Sequence, residues 1–239
     1  MSRLILLLSL FSLVSCATKP AEQRPPPDIV GLVSLFDDQL PISSEANSKG
    51  KERTISTTSW ALNDVFINEY DNQLREQYRN GLRINLDAKT VSDLKTEARN
   101  LKDIYLGDRW QILTQYVLSE ASKQGAKYLI IVHPVANNTY KQYKAGYGIH
   151  CVNSPSKESE SMAYFLMRSE LWNVATKKIE ATSTLTPDQL AVPVLKSCAA
   201  FNKMKSEKIS EEFKPLFQEL VSRGTDLNLQ GLGIKNSLQ

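Results

Sequence analysis

Hydrophobic positions recur along this chain with two periods, and each period marks a different kind of element. Leu62, Phe66, Tyr70, Leu74 and Tyr78 follow one another at i+4, with Ile67 beside them. That stripe predicts an amphipathic helix of about five turns over residues 60–78. Trp110, Leu113, Tyr116, Val117 and Ala121 predict a second helix from Arg109 to Lys123, capped by Asp108 and stopped by Gly125. Ile29 to Phe36 and Lys127 to His133 are instead continuous apolar runs rich in β-branched residues, the signature of buried strands, and Pro134 ends the second. Met162 to Asn173 alternates, with Ala163, Phe165, Met167 and Leu171 on one face, and Asn173 to Lys178 turns into a partner strand from Ile179 to Leu185.

Between these elements the pattern is weaker. Asp37-Asp38-Gln39 reads as a turn, Leu40 to Ile42 as a short return strand, and residues 43–53 as a polar loop. Arg83 to Leu86 alternates like a short strand, Thr90 to Ile104 predicts a charged helix with a thin apolar face, and Tyr140 to Ile149 is a tyrosine-rich strand or loop. Thr186-Pro187-Asp188-Gln189 carries a capping box with proline at the first helical position, which predicts a helix start. Residues 207–223 predict a helix with Ile209, Phe213, Phe217 and Leu220 inside. Pro215 kinks it or marks where it begins, and Gly224 ends it. Together these elements predict a mixed α/β (α+β) fold: a mixed central sheet with flanking helices and an antiparallel hairpin, in a single domain over residues 28–239.

The apolar run at the start is of another kind. Leu4 to Val14 is eleven residues long and follows Arg3. As a helix it spans about 16 Å, roughly half a hydrocarbon core, which fits a signal-peptide core and is too short for a transmembrane anchor. It ends Leu13-Val14-Ser15-Cys16, which resembles the lipobox of bacterial lipoproteins. That resemblance implies a signal peptide of residues 1–15, cleavage before Cys16, and diacylglycerol plus an N-acyl chain such as palmitate on the cysteine. An ordinary secreted protein is the alternative. Ala17, where an Asp would imply inner-membrane retention, implies sorting to the periplasmic face of the outer membrane. Residues 17–27 (ATKPAEQRPPP) hold four prolines in eleven positions. With Cys16 they make a tether over 16–27, about 30–35 Å long if extended.

Composition then excludes several classes. The 239 residues are 41% apolar and 23% charged, too apolar for a disordered chain. With 29 Lys and Arg against 26 Asp and Glu, the net charge of +3 is too weak to indicate a nucleic-acid binder. Of three cysteines, lipidation of Cys16 leaves Cys151 and Cys198. In the oxidising periplasm an even remainder suggests a disulfide, contributing about 4 kcal/mol in the chain-entropy model. Two separate buried thiols are the alternative.

No residue pattern carries a catalytic signature. His150-Cys151 are neighbours, so in a strand they point to opposite faces and do not share a proton. The two histidines and two remaining cysteines lack the spacings of a metal site, and neither a metal nor another cofactor is expected. Ser-x-x-Lys occurs at Ser48, Ser92 and Ser154, near the frequency chance gives for 24 serines and 19 lysines, and without its companion motifs. Asp37-Asp38 follows a strand, which is an active-site position in α/β sheets, although turn chemistry also accounts for it. Tyr140, Tyr143 and Tyr147 flank Gly146 and Gly148 and make a candidate sugar- or protein-binding ledge, with mutual packing on an outer strand as the alternative.

The strand Ile29–Phe36 after its tether, the segment Ala121–Val132 (ASKQGAKYLIIV), Gly146-Tyr147-Gly148 and the hairpin Glu170–Ile179 together resemble a class of envelope lipoproteins. The class includes the TolB amino-terminal domain, the penicillin-binding-protein activators and the curli secretion lipoprotein. The resemblance covers residues 29–185, with Asn173 where Asp is usual and Lys177 where Gly is usual. It implies a helix feeding a mixed sheet, a following hairpin, and a non-enzymatic binding or assembly role toward an envelope protein or peptidoglycan. It brings no catalytic residues. A cell-wall or lipid hydrolase and an oligomeric secretion-channel component are the alternatives.

Overall fold

The computed structural model describes residues 27–44, 53–101, 107–151 and 161–235. The expected signal peptide, Cys16 and most of the expected tether lie outside the described residues. The elements run β1 (Asp28–Ser34), β2 (Gln39–Ser44), β3 (Arg53–Ser56), α1 (Leu62–Glu76), β4 (Arg79–Arg83), α2 (Ala88–Asn100), α3 (Asp108–Lys123) and β5 (Tyr128–Pro134). They continue with β6 (Gly146–Cys151), β7 (Ser161–Asn173), β8 (Lys178–Leu185), β9 (Ala191–Val194), α4 (Cys198–Lys203) and α5 (Ser206–Gly231).

All nine strands join one mixed sheet that does not close into a barrel. Its organiser is β7, thirteen residues long and buried over most of its length. The first half of β7 pairs antiparallel with β6 and β9, and the second half with β5 and β8. Beyond β5 lie β1 and β4, each parallel to its neighbour; beyond β6 lie β2, parallel to it, and antiparallel β3. The sheet is therefore two half-sheets sharing one strand, and the turn Leu35–Asp38 carries the chain from one half to the other.

Strand alternation divides the core in two. Val30, Leu32, Ile130, Val132, Phe165 and Leu171 point to a face covered by α1 and α5, where they meet Phe66, Tyr70, Phe217 and Leu220. Val33, Leu129, Ile131 and Trp172 point to the other face, under α2 and α3, against Leu94, Trp110, Val117 and Ala121. Each of these large side chains, once fully buried, contributes about 1.5–3 kcal/mol of transfer free energy. Trp60 satisfies its indole N–H at Ser210, donating to the hydroxyl at 2.8 Å.

Several elements differ from the sequence reading, each for a local reason. The α1 stripe forms from Leu62 to Leu74, but Tyr78 lies beyond the helix with φ +55° and is half exposed. The short strand expected at residues 83–86 sits earlier, because Gly81 lets β4 pass against Asp71, where an added Cβ would meet backbone at 2.8 Å. Thr186 and Gln189 do hydrogen-bond as a cap at 3.1 Å, yet no helix follows. The next residues, Ala191-Val192-Pro193-Val194, carry two β-branched valines and a proline and pair with β7 as an edge strand. Helix α5 runs through both Pro215 and Gly224. Gly224 is there for packing rather than termination, since a Cβ would stand 2.7 Å from Met167 and 2.8 Å from Leu190. The β7–β8 turn is pinned by Asn173, whose side chain accepts from the Thr176 N–H at 3.0 Å, while Lys177 takes the left-handed conformation at φ +55°.

Candidate functional site

Three groups of polar side chains are candidates for a functional site, and only the last is open. The first lies under α3. His133 and Arg168 are cross-strand partners, and Glu170 stands two residues along β7 on the same face. His133 and Glu170 are 0% exposed. His133 Nε2 and Arg168 Nε each approach Glu170 Oε1 at 3.5 Å, and the Trp172 indole donates to Oε2 at 3.0 Å. His133 Nδ1 donates to the Pro134 carbonyl at 2.8 Å. Its Nε2 therefore faces the carboxylate as a donor only when the ring carries both protons. The Trp110 ring closes the site from above at 4.9 Å from the imidazole. Burial pushes the Glu170 carboxyl up, but His133, Arg168 and Trp172 outweigh it and hold its pKa below the usual carboxylate value.

The second group surrounds β6. His150 is 2% exposed, with Ser43 Oγ 3.2 Å from Nδ1 and the Tyr143 ring at 4.9 Å. Cys151 points to the opposite face, into the α1/α5 core, and is a buried free thiol. The Ser161 hydroxyl lies 3.4 Å from its sulfur and donates to the Lys196 carbonyl at 2.7 Å. The side chain of Cys198 lies outside the described residues. His133 and His150 belong to different ends of β7, opposite Arg168 and Met162, about 20 Å apart along the strand. They are too far apart to act on one small group.

The three tyrosines do not form one ledge. Tyr140 donates to the Asp188 carboxylate, and Tyr143 packs edge-on against Tyr164 at 4.6 Å. Tyr147 faces the other way, 3% exposed among Phe36, Trp60, Phe165 and Phe217. Its hydroxyl donates to the Asp37 carbonyl at 2.8 Å, and burial pushes its pKa well above the ordinary phenol value. Alternation explains the difference, because residue 147 and residues 148 and 150 occupy opposite faces of β6.

The third group lies where the half-sheets diverge, at the carboxyl ends of β1 and β5. In α/β sheets such a change in strand order leaves a crevice. Here two concavities open side by side and share Asp37, Gln39, Thr54 and Arg99. One, of about 430 Å³, reaches down to Phe36, Pro134 and Gly146. The other, of about 460 Å³, has only polar residues among its described lining, with Asp38, Ser56, Thr58 and Lys95 joining the shared four. Arg99 grips Asp37 with two hydrogen bonds of 2.6 and 2.7 Å. The turn below is fixed by Tyr147 on the Asp37 carbonyl and by the Thr57 N–H on the Asp38 carbonyl at 2.9 Å.

The Asp37-Asp38 position was legible in the sequence, whereas Arg99 and Lys95 were not, because nothing local ties α2 to that turn. Glu170 and Arg168 had a signal that was missed: two charges inside a thirteen-residue strand that is otherwise mostly apolar. No group of three or more His, Cys, Asp or Glu able to hold a metal occurs among the described residues, and no described helix is long and apolar enough to cross a membrane.

No protein-family model matches the chain, and no curated protein matches its sequence. Solved structures align over most of it at low identity. The PelC dodecamer from Paraburkholderia phytofirmans is 13% identical over 83% of this chain and 87% of its own, with a TM-score of 0.28. Lipoprotein GNA1162 from Neisseria meningitidis is 10% identical over 81% of this chain and 98% of its own, with a TM-score of 0.30. The LpoB C-terminal domain from Salmonella enterica is 11% identical over 74% and 88%, with a TM-score of 0.22. Scores this low carry no argument about the fold or function of this chain.

Proposed function

We propose that this protein is a lipid-anchored lipoprotein on the periplasmic face of the bacterial outer membrane, whose folded domain binds an envelope partner without catalysing a reaction. The anchor rests on Leu13-Val14-Ser15-Cys16. The observation that carries the binding role is a division of polar groups. His133, His150 and Cys151, the side chains with the greatest catalytic potential, are exposed by 2% or less. The open surface is instead a polar crevice beside a neutralised ion pair.

Chain direction supports the same reading. The tether joins β1 at Asp28, and the crevice lies past the other end of that strand, about 25 Å away. A domain held by its tether thus carries the crevice at the far end of β1 from its attachment. The test has two parts. Cys16→Ala is expected to move the protein from the membrane fraction to the soluble periplasm; an unchanged fraction refutes the anchor. A photo-cross-linking side chain in place of Thr54, at the crevice, is expected to trap a discrete adduct in cells, while the same group in place of Lys178, on β8, does not. Equal behaviour at the two positions refutes the crevice as the binding surface.

A further inference from the structure

We infer that the polar crevice between the Asp37-Asp38 turn and α2 is a site for a small dipolar ligand carrying both an amino group and a carboxylate, such as the free ends of a short peptide. This assignment rests on the binding role proposed above and names the ligand for it.

The argument starts from which charges are already used. Asp37 and Arg99 neutralise each other through their paired hydrogen bonds. Subtracting that pair leaves one carboxylate, Asp38, and one ammonium, Lys95, in the same 460 Å³ concavity. Neither side chain has a hydrogen bond or ion pair among the described residues, although both are half-buried. They come from different elements, a strand-to-strand turn and a helix, so no local motif explains their juxtaposition. Elsewhere on this surface, charges of opposite sign that lie close together are paired, as Lys89 is with Asp93 at 2.8 Å and Lys127 with Asp28 at 3.0 Å. Asp38 and Lys95 are held apart instead. Asp38 is fixed through its carbonyl by the Thr57 N–H, and Lys95 by its position one turn before Arg99 on α2.

The remaining lining sets the ligand's character. Gln39, Thr54, Ser56 and Thr58 offer amide and hydroxyl groups, and no described lining residue is apolar. An acyl chain or aromatic ring would gain no burial there. A ligand with a cation at one end, an anion at the other and a peptide group between them matches the uncommitted groups: its ammonium on Asp38, its carboxylate on Lys95, and its amide on Gln39 and Thr54, while Ser56 and Thr58 hydrogen-bond each other at 3.1 Å. The volume lies within the range of small-molecule sites. Charge-assisted hydrogen bonds at both ends make affinity depend on both charges.

Calorimetric titration of the full chain in detergent tests this with three probes: glycylglycine, its N-acetyl derivative and its C-terminal amide. Glycylglycine is expected to bind saturably at one site, and each capped form about tenfold more weakly or worse. In Lys95→Ala the penalty for amidating the carboxylate is expected to vanish, and in Asp38→Asn the penalty for acetylating the amine. Both residues are unpaired and near the surface, so both variants fold, and an unchanged circular dichroism spectrum and urea midpoint check this. No saturable binding, equal affinity for all three probes, or penalties that survive both substitutions would overturn the assignment. The Thr54 cross-link separates the two levels of the proposal. If it persists while dipeptide binding is absent, the ligand is wrong and the binding role stands; if it is lost, the binding role itself fails.

Discussion

Glu170 and Asp37 are both carboxylates within reach of an arginine, and both belong to the same sheet, yet their surroundings differ in every respect that sets the worth of a charge. Glu170 is 0% exposed, meets Arg168 and His133 at 3.5 Å, and lies beneath the face capped by Trp110. The Asp37 side chain is 32% exposed and holds Arg99, itself 57% exposed, at 2.6 Å. The shorter, better-formed pair is the one in water. Geometry alone would rank Asp37–Arg99 the stronger contact, but solvent screening reduces an exposed pair to at most about 1 kcal/mol. The buried group works in a medium where leaving one partner uncompensated costs several times that. The longer contacts thus matter to folding, and the shorter ones to what the surface presents.

The comparison can be broken most forcefully at Glu170. Glu170→Ala strands His133 and Arg168 in the core and removes the acceptor of the Trp172 indole. The expected loss is about 3–5 kcal/mol, read from the urea unfolding midpoint. A loss below about 1 kcal/mol would show that water reaches the cluster and that it is not sealed.

Lowering the pH gives a smaller effect with a defined sign. The folded-state pKa of Glu170 lies below its ordinary value, so the folded protein binds fewer protons there than the unfolded chain. Its contribution is complete above the unfolded value near about 4.3 and is lost as pH falls through the lower folded value. The gap in stability between the native protein and Glu170→Gln is therefore expected to narrow on acidification below that point. A gap that widened instead would reverse the assignment.

Asp37→Ala is expected to give the smallest effect, no more than about 1 kcal/mol, and 1 M salt should erase most of it. A loss as large as that of Glu170→Ala would mean that the crevice is a structural joint rather than a surface.

What was legible in the sequence follows the same line. Elements whose apolar pattern faces one partner surface were readable: Leu62 to Leu74 on α1, Trp110 to Ala121 on α3, and the β5 run all form as their periodicity predicts. The hairpin between β7 and β8 was readable as well, down to the unusual Lys177 in its turn. Misreadings cluster where a residue's role is set by something distant. Gly224 looked like a helix stop until Met167 and Leu190 occupied the space beside it. Thr186 formed its cap, but pairing with β7 claimed the residues that would have continued the helix. The site divides likewise. Asp37 and Asp38 were visible as a strand-end turn, but the α2 side chains facing them come from some sixty residues away and left no local mark.

The shared strand β7 also sets the order in which this protein can mature. A chain made amino terminus first contains β1 to β6 before residues 161–173 emerge, and the two half-sheets have no common member until those residues arrive. Until then β5, with its run Leu129-Ile130-Ile131-Val132, and β6 present bare edges, the kind of surface that recruits stray strands. Completion of the sheet is consequently a late, non-local event, and the period just before it is when the chain is most open to wrong pairing.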